Sequence, residues 1–224
     1  MGFHYDGISL QNGRSVNMDS LIVNFRRVQK TELCLAAVCD GVGSLNDGAF
    51  AASAAVQMLN NWFENLEDTS RLGIRLRDYI FSVNLGITRR AQKRGIRTAS
   101  TLSCLLLWEN QYVISHVGDS RIYTLEDNGL LQLTQDQVRN GRLAASVGNR
   151  EETEVFYTEG LCRTGQKFLV CSDGLYKRMD LQLLAGAMKS ANRHNLQERL
   201  DQMAKYVIGR GEQDNVTAAL IINE

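Results

Sequence analysis

Five aspartates stand at the edges of strand-like runs, where several carboxylates could act on one substrate. Asp19 precedes the first of these runs, and Asp40, Asp119, Asp173 and Asp214 occur in the motifs CDG, GDS, SDG and QDN. A single Asp-Gly pair is most often a tight turn, because glycine takes positive φ and aspartate bonds to its own backbone. One such aspartate is therefore weak evidence for a functional site.

As a set, the aspartates indicate a metal site. Carboxylates at the ends of neighbouring strands can converge at one edge of a fold, where they repel one another unless a cation lies between them. Oxygen ligands without cysteine or histidine select Mg²⁺ or Mn²⁺ over zinc. Gly41 and Gly174 follow two of the aspartates and leave room for a backbone carbonyl or a hydrated ion. Two such ions lower the pKa of a bridging water and shield an anionic substrate.

Short apolar runs predict the strands that position these aspartates. β-Branched and other apolar residues cluster between turn-forming residues, which predicts strands at 20–28, 33–40, 100–107, 111–117, 120–125, 167–172 and 215–222. Most of these runs are joined by connections too short for a crossover helix, so antiparallel pairing is expected.

Two helices are predicted early in the chain and two late. Apolar spacings of three and four residues predict helices at Asn46–Leu66, at Ser70–Arg94 with Gly95 as the stop, at Asp180–Lys189, and from Asn195, where Glu198 completes a capping-box spacing. Such helices need sheets to cover. The expected fold class is therefore α+β, a four-layer αββα sandwich of two stacked, mainly antiparallel sheets, formed by one domain over residues 1–224.

Composition and charge exclude several other classes of protein. The 25 basic and 25 acidic residues cancel, so no net field favours nucleic acid or an anionic membrane, and neither is expected as a partner. No export signal or run of about 20 apolar residues is visible, which favours a cytoplasmic protein. Four of the five cysteines lie in apolar runs without any C-x-x-C pair, so they are predicted to be buried free thiols: Cys34, Cys39, Cys104 and Cys171.

Two further groups of residues have structural interpretations. His116 lies within an apolar run and His194 precedes a helix, which favours structural over catalytic roles. The basic run near the end of the second predicted helix is interpreted as a solvated helix end favoured by the helix dipole, rather than as a docking patch: Arg89, Arg90, Lys93, Arg94 and Arg97.

Six motifs, in order along the chain, resemble those of the metal-dependent type 2C protein phosphatases. GRSVNMDS, CDGVGS and TASTLSCLLL are similar to that family's G-x-R-x-x-N-[EQ]-D, D-G-[MVH]-G-G and G-T-T segments. HVGDSRIY, VCSDGLYKRM and QDNVTAAL are similar to G-D-S-R, S-D-G-[LI]-x-D and D-N-[IVM]-T. The resemblance spans nearly the whole chain and is closest to compact bacterial members.

The resemblance implies a role for each matching residue. Asp40 would bridge two metal ions, the Gly41 carbonyl would bind one of them, and Asp173 and Asp214 would complete the other. Arg14 would grip the substrate phosphate through its bidentate guanidinium.

Three more residues receive roles from the same resemblance. Asp19 would order metal-bound waters, Asn215 would steady the site, and Asp119 would form one side of a third metal site. The implied reaction is direct attack of water, activated by two Mn²⁺ or Mg²⁺ ions, on a phosphoserine or phosphothreonine protein that a serine/threonine kinase has phosphorylated. No phospho-enzyme is implied.

The chain departs from the family pattern at four main places. Lys177 stands where the family has a metal-binding aspartate, so a third ion is expected to be weak or absent, with an Asp119–Lys177 ion pair in its place. Met18 removes an oxygen that would reach a metal-bound water, and Val42 replaces the histidine acid of animal members. The segment at about 137–147 is strongly shortened, where relatives carry a mobile flap. A more open cleft is expected to shift recognition to other surfaces.

Two alternatives remain open on the sequence. Lys177, Met18 and the shortened flap are also compatible with a catalytically weak member that binds a phosphoprotein or another partner. Hydrolysis of a small phosphorylated metabolite would use the same chemistry. Dependence of turnover on Mn²⁺ distinguishes the first alternative, and a comparison of phosphopeptides with metabolites distinguishes the second.

Overall fold

The computed structural model describes residues 2–45 and 47–224, which form twelve strands and five helices. The strands are β1 (Phe3–Leu10), β2 (Asp19–Val28), β3 (Thr31–Asp40), β4 (Leu102–Trp108), β5 (Gln111–Val117), β6 (Arg121–Glu126), β7 (Gly129–Gln132), β8 (Val138–Arg139), β9 (Arg142–Leu143), β10 (Phe156–Leu161), β11 (Lys167–Cys171) and β12 (Val216–Asn223). The helices are α1 (Gly48–Glu64), α2 (Leu72–Arg94), α3 (Asp173–Tyr176), α4 (Leu181–Ser190) and α5 (Leu196–Gly209).

Ten of the strands form two antiparallel five-stranded sheets. Sheet I has the order β10-β5-β4-β3-β2, and sheet II has the order β1-β12-β11-β6-β7. Every pairing within them is antiparallel, as the short connections predict. The remaining two strands, β8 and β9, pair only with each other.

Apolar side chains fill three layers. One lies between α1, α2 and sheet I, one between the two sheets, and one between sheet II and the pair α4 and α5. Side chains alternate along β3, so Leu33 and Leu35 face the helices while Cys34 and Ala36 face the other sheet. Because both faces are buried, the strand has a continuous apolar sequence. The predicted αββα sandwich is confirmed.

The predicted helix boundaries hold to within a few residues, with one correction. Helix α1 begins at Gly48, and the Asp47 carboxylate accepts the Phe50 N–H at 3.0 Å; Asn46, the predicted start, lies outside the described residues. Gly95 ends α2 in the left-handed region, with φ of 63°. The predicted capping box of α5 is wrong. Asn195 does not cap the helix with its side chain, whose Oδ1 instead accepts the Asn192 N–H at 2.7 Å.

Several strands were not predicted from the sequence. Strands β1 and β10 lie at sheet edges and are mostly half-exposed, so their apolar pattern is weak. The hairpin of β8 and β9 turns at Asn140 and Gly141, which both have positive φ, as a tight two-residue hairpin turn requires. This hairpin lies in the segment where the flap was expected to be shortened.

The cysteine prediction is confirmed, because all five thiols are free and buried. Within residues 2–45 and 47–224, no helix combines the length and apolar character needed to cross a membrane.

Candidate active site

Four of the five predicted aspartates line one cavity of about 380 Å³ at an end of the sandwich. We call this cavity the acidic pocket. Asp40 ends β3 in sheet I, Asp119 lies between β5 and β6, Asp173 follows β11, and Asp214 precedes β12 in sheet II. The pocket is therefore formed by residues from both sheets. Its cationic lining residue is Arg14, from the loop between β1 and β2.

Asp19 lies beneath this cavity rather than in its lining. It pairs with Asp40 across β2 and β3, and only 8% of its surface is exposed. Burial raises the pKa of Asp19 to about 6, although a hydrogen bond from Ser172 Oγ at 2.8 Å acts in the opposite direction. Burial also raises the pKa of Asp40 well above its usual range, and the charges of Asp19 and Asp173 add to that effect. These carboxylates lack sufficient positive charge around them.

Asp173 is only partly satisfied. Its Oδ2 forms an ion pair with Lys177 Nζ, one turn later in the chain, while its Oδ1 is buried without a hydrogen-bond partner among residues 2–45 and 47–224. The Asp173 side chain is 13% exposed and that of Lys177 is 55% exposed. The expected Asp119–Lys177 ion pair is therefore wrong, because α3 begins at Asp173 and brings Lys177 over it at the helical i,i+4 spacing. Lys177 still lowers the pKa of Asp119, but burial and Asp173 raise it by more.

Arg14 and Asp214 form a bidentate pair. Arg14 Nε donates to Asp214 Oδ1 at 2.9 Å, and the terminal NH2 group donates to Oδ2 at 2.8 Å. Burial would raise the pKa of Asp214, but hydrogen bonds from Arg14 and the Asn215 N–H hold it below its usual value. The Arg14 side chain is 58% exposed, so its guanidinium can leave this carboxylate without opening the core.

Asn215 fastens the loop that carries Arg14. Its Oδ1 accepts the Met18 N–H at 2.9 Å, and its Nδ2 donates to the carbonyls of Gln11 at 2.8 Å and Val16 at 3.1 Å. A second side-chain amide connects the same loop to Asp214: Asn12 Nδ2 donates to the Asp214 carbonyl at 2.9 Å. The sequence did not indicate this contact. These amides join residues about 200 positions apart.

Two glycines allow backbones to meet beside the aspartates. A Cβ at Gly174 would lie 2.0 Å from the Asn215 carbonyl oxygen, and one at Gly41 would lie 2.6 Å from Gly48 and 2.7 Å from the Met18 carbonyl. No side chain fits at either position. The sequence predicted the close approach of a backbone carbonyl or a hydrated ion at these glycines, and the structure has a backbone carbonyl beside each.

Buried hydroxyls support the back of the pocket. The Asp40 N–H donates to Thr101 Oγ1 at 2.9 Å, and Thr101 is hydrogen-bonded to Ser120 at 2.7 Å. His116 contacts Ser103 Oγ at 2.8 Å and the Gln135 carbonyl at 3.1 Å, and burial lowers its pKa to about 4. His116 is therefore a neutral, hydrogen-bonded core residue, consistent with its structural interpretation.

The donors in the acidic pocket fit a hard divalent cation. No three His, Cys, Asp or Glu side chains of residues 2–45 and 47–224 are already grouped closely enough to hold one ion, and two of the carboxylates are paired with cations, Asp214 with Arg14 and Asp173 with Lys177. The donors are nonetheless all oxygen, and in the described part of the chain the buried Asp173 Oδ1 has no hydrogen-bond partner. Both competing cations are more than half exposed and can move away.

Comparison with known sequences identifies a family and its relatives. A family model described as protein phosphatase 2C matches residues 8–220. The serine/threonine phosphatase stp of Listeria welshimeri is 29% identical over 213 residues, which cover 82% of this chain and 82% of that protein.

Solved structures share the fold. Serine/threonine phosphatase Stp1 from Staphylococcus aureus has a TM-score of 0.88 at 20% identity, covering 100% of this chain and 96% of that one. The catalytic domain of the serine threonine protein phosphatase PstP, solved in complex with two manganese ions, has a TM-score of 0.84 at 23% identity, covering 98% and 97% of the two chains.

Proposed function

Because the chain belongs to the protein phosphatase 2C family of metal-dependent serine/threonine phosphatases, we propose that the acidic pocket is where it hydrolyses phosphoserine and phosphothreonine in proteins. The observation that supports this site best is the convergence of four carboxylates from two sheets on one cavity, beside an exposed arginine. Such a cluster suits divalent cations and, through them, a phosphate dianion.

Asp40, Asp173, Asp214 and the Gly41 carbonyl are the proposed ligands of two Mn²⁺ or Mg²⁺ ions. When bound, the ions supply an acidified water as the nucleophile and neutralise the phosphate charge. Lys177 contributes a positive charge beside Asp173 and Asp119, where a third ion would bind. We therefore propose that the chain holds two ions, with a third weak or absent.

Arg14 is the proposed phosphate clamp. Its guanidinium already binds the two oxygens of Asp214 in the forked geometry that suits two phosphate oxygens. Once Asp214 is engaged elsewhere, the exposed Arg14 side chain can turn to the substrate. Asn215 is a positioning residue in this proposal, because it holds the loop on which Arg14 stands.

Few side chains near this pocket could take part in proton transfer. Asp19, with a pKa of about 6, lies below Asp40 and is proposed to order water in the site. Val42, which also lines the pocket, cannot give a proton to the leaving serine or threonine oxygen. We propose that this oxygen takes its proton from water.

The substrate is proposed to be a phosphoprotein made by a serine/threonine kinase. We place the reaction in the cytoplasm, because five buried free thiols suit a reducing compartment. Leu143 of the short β8–β9 hairpin lines the pocket, and Arg139 and Arg142 of the same hairpin are exposed. We propose that this small hairpin leaves a more open cleft than a full flap would.

The decisive experiment is dephosphorylation of a phosphothreonine peptide by the purified protein, with Mn²⁺, with Mg²⁺ and with EDTA. We expect turnover with either ion and none with EDTA, and the Asp40→Asn variant purified in parallel controls for contaminating phosphatases. Equal turnover by that variant would falsify the assignment of the pocket.

A second candidate is a binding module with little turnover. The Lys177–Asp173 ion pair favours it, because the lysine competes for a proposed ligand. This candidate predicts phosphopeptide binding by calorimetry without release of phosphate at saturating Mn²⁺. If small phosphorylated metabolites are hydrolysed faster than phosphopeptides, the substrate class changes while the site remains.

A further inference from the structure

A second cavity, of about 360 Å³, lies beside the acidic pocket and is rich in positive charge. It is formed where the segment after α3 meets the end of α5, and we call it the basic cavity. Its lining contains three cations and one carboxylate: Lys177, Arg178, Met179, Asp180, Tyr206 and Arg210.

The acidic groups near the basic cavity are already engaged. Asp180 caps α4, accepting the N–H groups of Gln182 at 2.8 Å and Leu183 at 3.1 Å. Glu212 lies 3.4 Å from Arg178 Nε through Oε2, while its Oε1 accepts the N–H of Gln213 at 2.8 Å. Because Lys177 pairs with Asp173 and Arg178 pairs with Glu212, the charge left for a ligand is mainly that of Arg210.

Arg210 is the cation with the most remaining capacity. Its guanidinium lies 5.7 Å from the centre of the Tyr206 ring, and no carboxylate within residues 2–45 and 47–224 forms an ion pair with it. Its carbonyl accepts a hydrogen bond from Arg178 at 3.3 Å, which joins the two arginine-bearing segments. Guanidinium groups at the wall of a cavity suit a carboxylate or a phosphate.

Lys177 connects the two cavities. It lines the basic cavity, and its Nζ contacts Asp173 in the acidic pocket, so one lysine side chain spans the distance between them. An extended peptide advances about 3.3 Å per residue, so a group two or three residues from a phosphoserine can reach the neighbouring cavity. Because the chain has no net charge, this basic region is local rather than part of a general field.

We propose that the basic cavity binds a second anionic group of the substrate, an acidic side chain or a second phosphate, a few residues from the phosphate that is removed. The inference rests on the proposed function and names the substrate class more closely: phosphoproteins whose target site has an acidic or phosphorylated neighbour. The shortened flap was expected to shift substrate recognition to other surfaces, and the basic cavity is a candidate for such a surface.

The test measures kcat/KM for phosphothreonine peptides with Mn²⁺. One glutamate is moved through each position within four residues of the phosphothreonine, a glutamine peptide is the reference at each position, and a second series carries phosphoserine instead. We expect the wild type to prefer the anionic peptide about fivefold at one or two positions, through KM, and less at high salt.

The variants locate the effect. Arg210→Gln should bring the anionic-to-neutral ratio close to one, and Arg210→Glu should bring it below one. Arg90→Gln is the matched control, because it removes an exposed arginine from α2, which covers the opposite sheet. That variant should keep the wild-type ratio.

Each other outcome decides against the inference. Hydrolysis of all peptides at equal kcat/KM would remove the basic cavity as a subsite and leave the proposed function intact. A preference that survives Arg210→Glu, or one that Arg90→Gln also abolishes, would show that the cavity is not the cause. Failure to hydrolyse any phosphopeptide would overturn both proposals.

Discussion

The acidic pocket and a neighbouring group of polar side chains differ in how far their carboxylates are neutralised by the protein. In this second group, the Arg121 cluster, Arg121 donates to Asp136 at 3.0 Å and 2.7 Å and to the Tyr123 hydroxyl at 2.9 Å. Its guanidinium stacks 3.7 Å from the centre of the Tyr176 ring, and Gln132 also donates to Asp136, at 3.0 Å. The Asp136 carboxylate therefore has its hydrogen-bond donors and its counter-charge from the protein itself.

The acidic pocket has the opposite character. Its four carboxylates meet two cations that are more than half exposed, and one oxygen of Asp173 is buried with no hydrogen-bond partner among the residues that the structure describes. A completed ion pair holds structure, whereas buried carboxylates without enough positive charge indicate a site that binds a ligand. Substitutions in the two regions should therefore have opposite effects on activity and stability.

The largest expected difference is between Asp40→Asn and Asp136→Asn. Asp40→Asn should lower kcat/KM at least about a hundredfold, because it removes a proposed metal ligand. The same change relieves repulsion among carboxylates, so with EDTA the Tm should rise by about 2–4 °C.

Asp136→Asn should instead lower the free energy of unfolding by about 1–2 kcal/mol, because Arg121 loses its charged partner. Thermal unfolding of both variants and phosphopeptide kinetics provide the comparison. The contrast between the regions fails if Asp40→Asn destabilises the protein as much as Asp136→Asn does.

Arg14→Gln should have the next largest effect. We expect kcat/KM to fall about ten- to a hundredfold, because a charged, bidentate contact to phosphate is lost. Mn²⁺ affinity measured by calorimetry should not fall, since Asp214 loses a competing cation. Arg14→Lys keeps the positive charge but cannot form the bidentate contact, so its kcat/KM should lie between those of the wild type and Arg14→Gln. Weaker Mn²⁺ binding with unchanged turnover would assign Arg14 to the support of Asp214 instead.

Lys177→Met should have a smaller effect than Arg14→Gln, and it should strengthen metal binding. Without Nζ beside Asp173, the Kd for Mn²⁺ should decrease about three- to fivefold, as expected for an ion pair with one exposed partner. Lys177→Arg preserves the charge and serves as the control. Calorimetry should give two ions per wild-type chain, and an unchanged Kd in Lys177→Met would show that this lysine does not compete with metal.

The smallest effect concerns His116 and pH. Burial lowers its pKa from 6.5 to about 4, so between these values the unfolded chain binds a proton that the folded chain does not. The stability contributed by neutral His116 is therefore complete above about pH 6.5 and is lost as the pH falls towards 4. Between pH 7 and 5, Tm should fall less steeply in His116→Gln than in the wild type. Parallel slopes would exclude His116 as a source of acid sensitivity.

Much of the fold could be predicted because the central strands are buried on both faces. Such strands have continuous apolar sequences, as in β3 and β4, and the candidate ligand Asp40 lies at the end of one of them. The edge strands β1 and β10 lacked this signal, since half of their environment is solvent. The Asn195 capping box failed because the Asn192 N–H, which lies outside the helix, takes the asparagine oxygen.

The ion pairs within the acidic pocket were harder to predict from the sequence than the identity of the residues that line it. Lys177 and Asp173 are four residues apart, so recognising a helix that starts at Asp173 would have indicated their contact. The contact of Arg14 with Asp214 joins positions 200 residues apart and has no local signal. It depends on how the two sheets stack.

The proposed metal ligands come from both halves of the sandwich, which links the pocket to the interior between the sheets. Asp40 ends a strand of one sheet and Asp173 follows a strand of the other, and side chains such as Val38, Ile122 and Phe168 fill the space between the two sheets. The thickness of this inner layer therefore sets how far apart the opposing carboxylates stand. If the proposed metal site is correct, a larger or smaller residue there should change the ion size that the pocket accepts, and cation preference could then be engineered from the core with the pocket residues left intact.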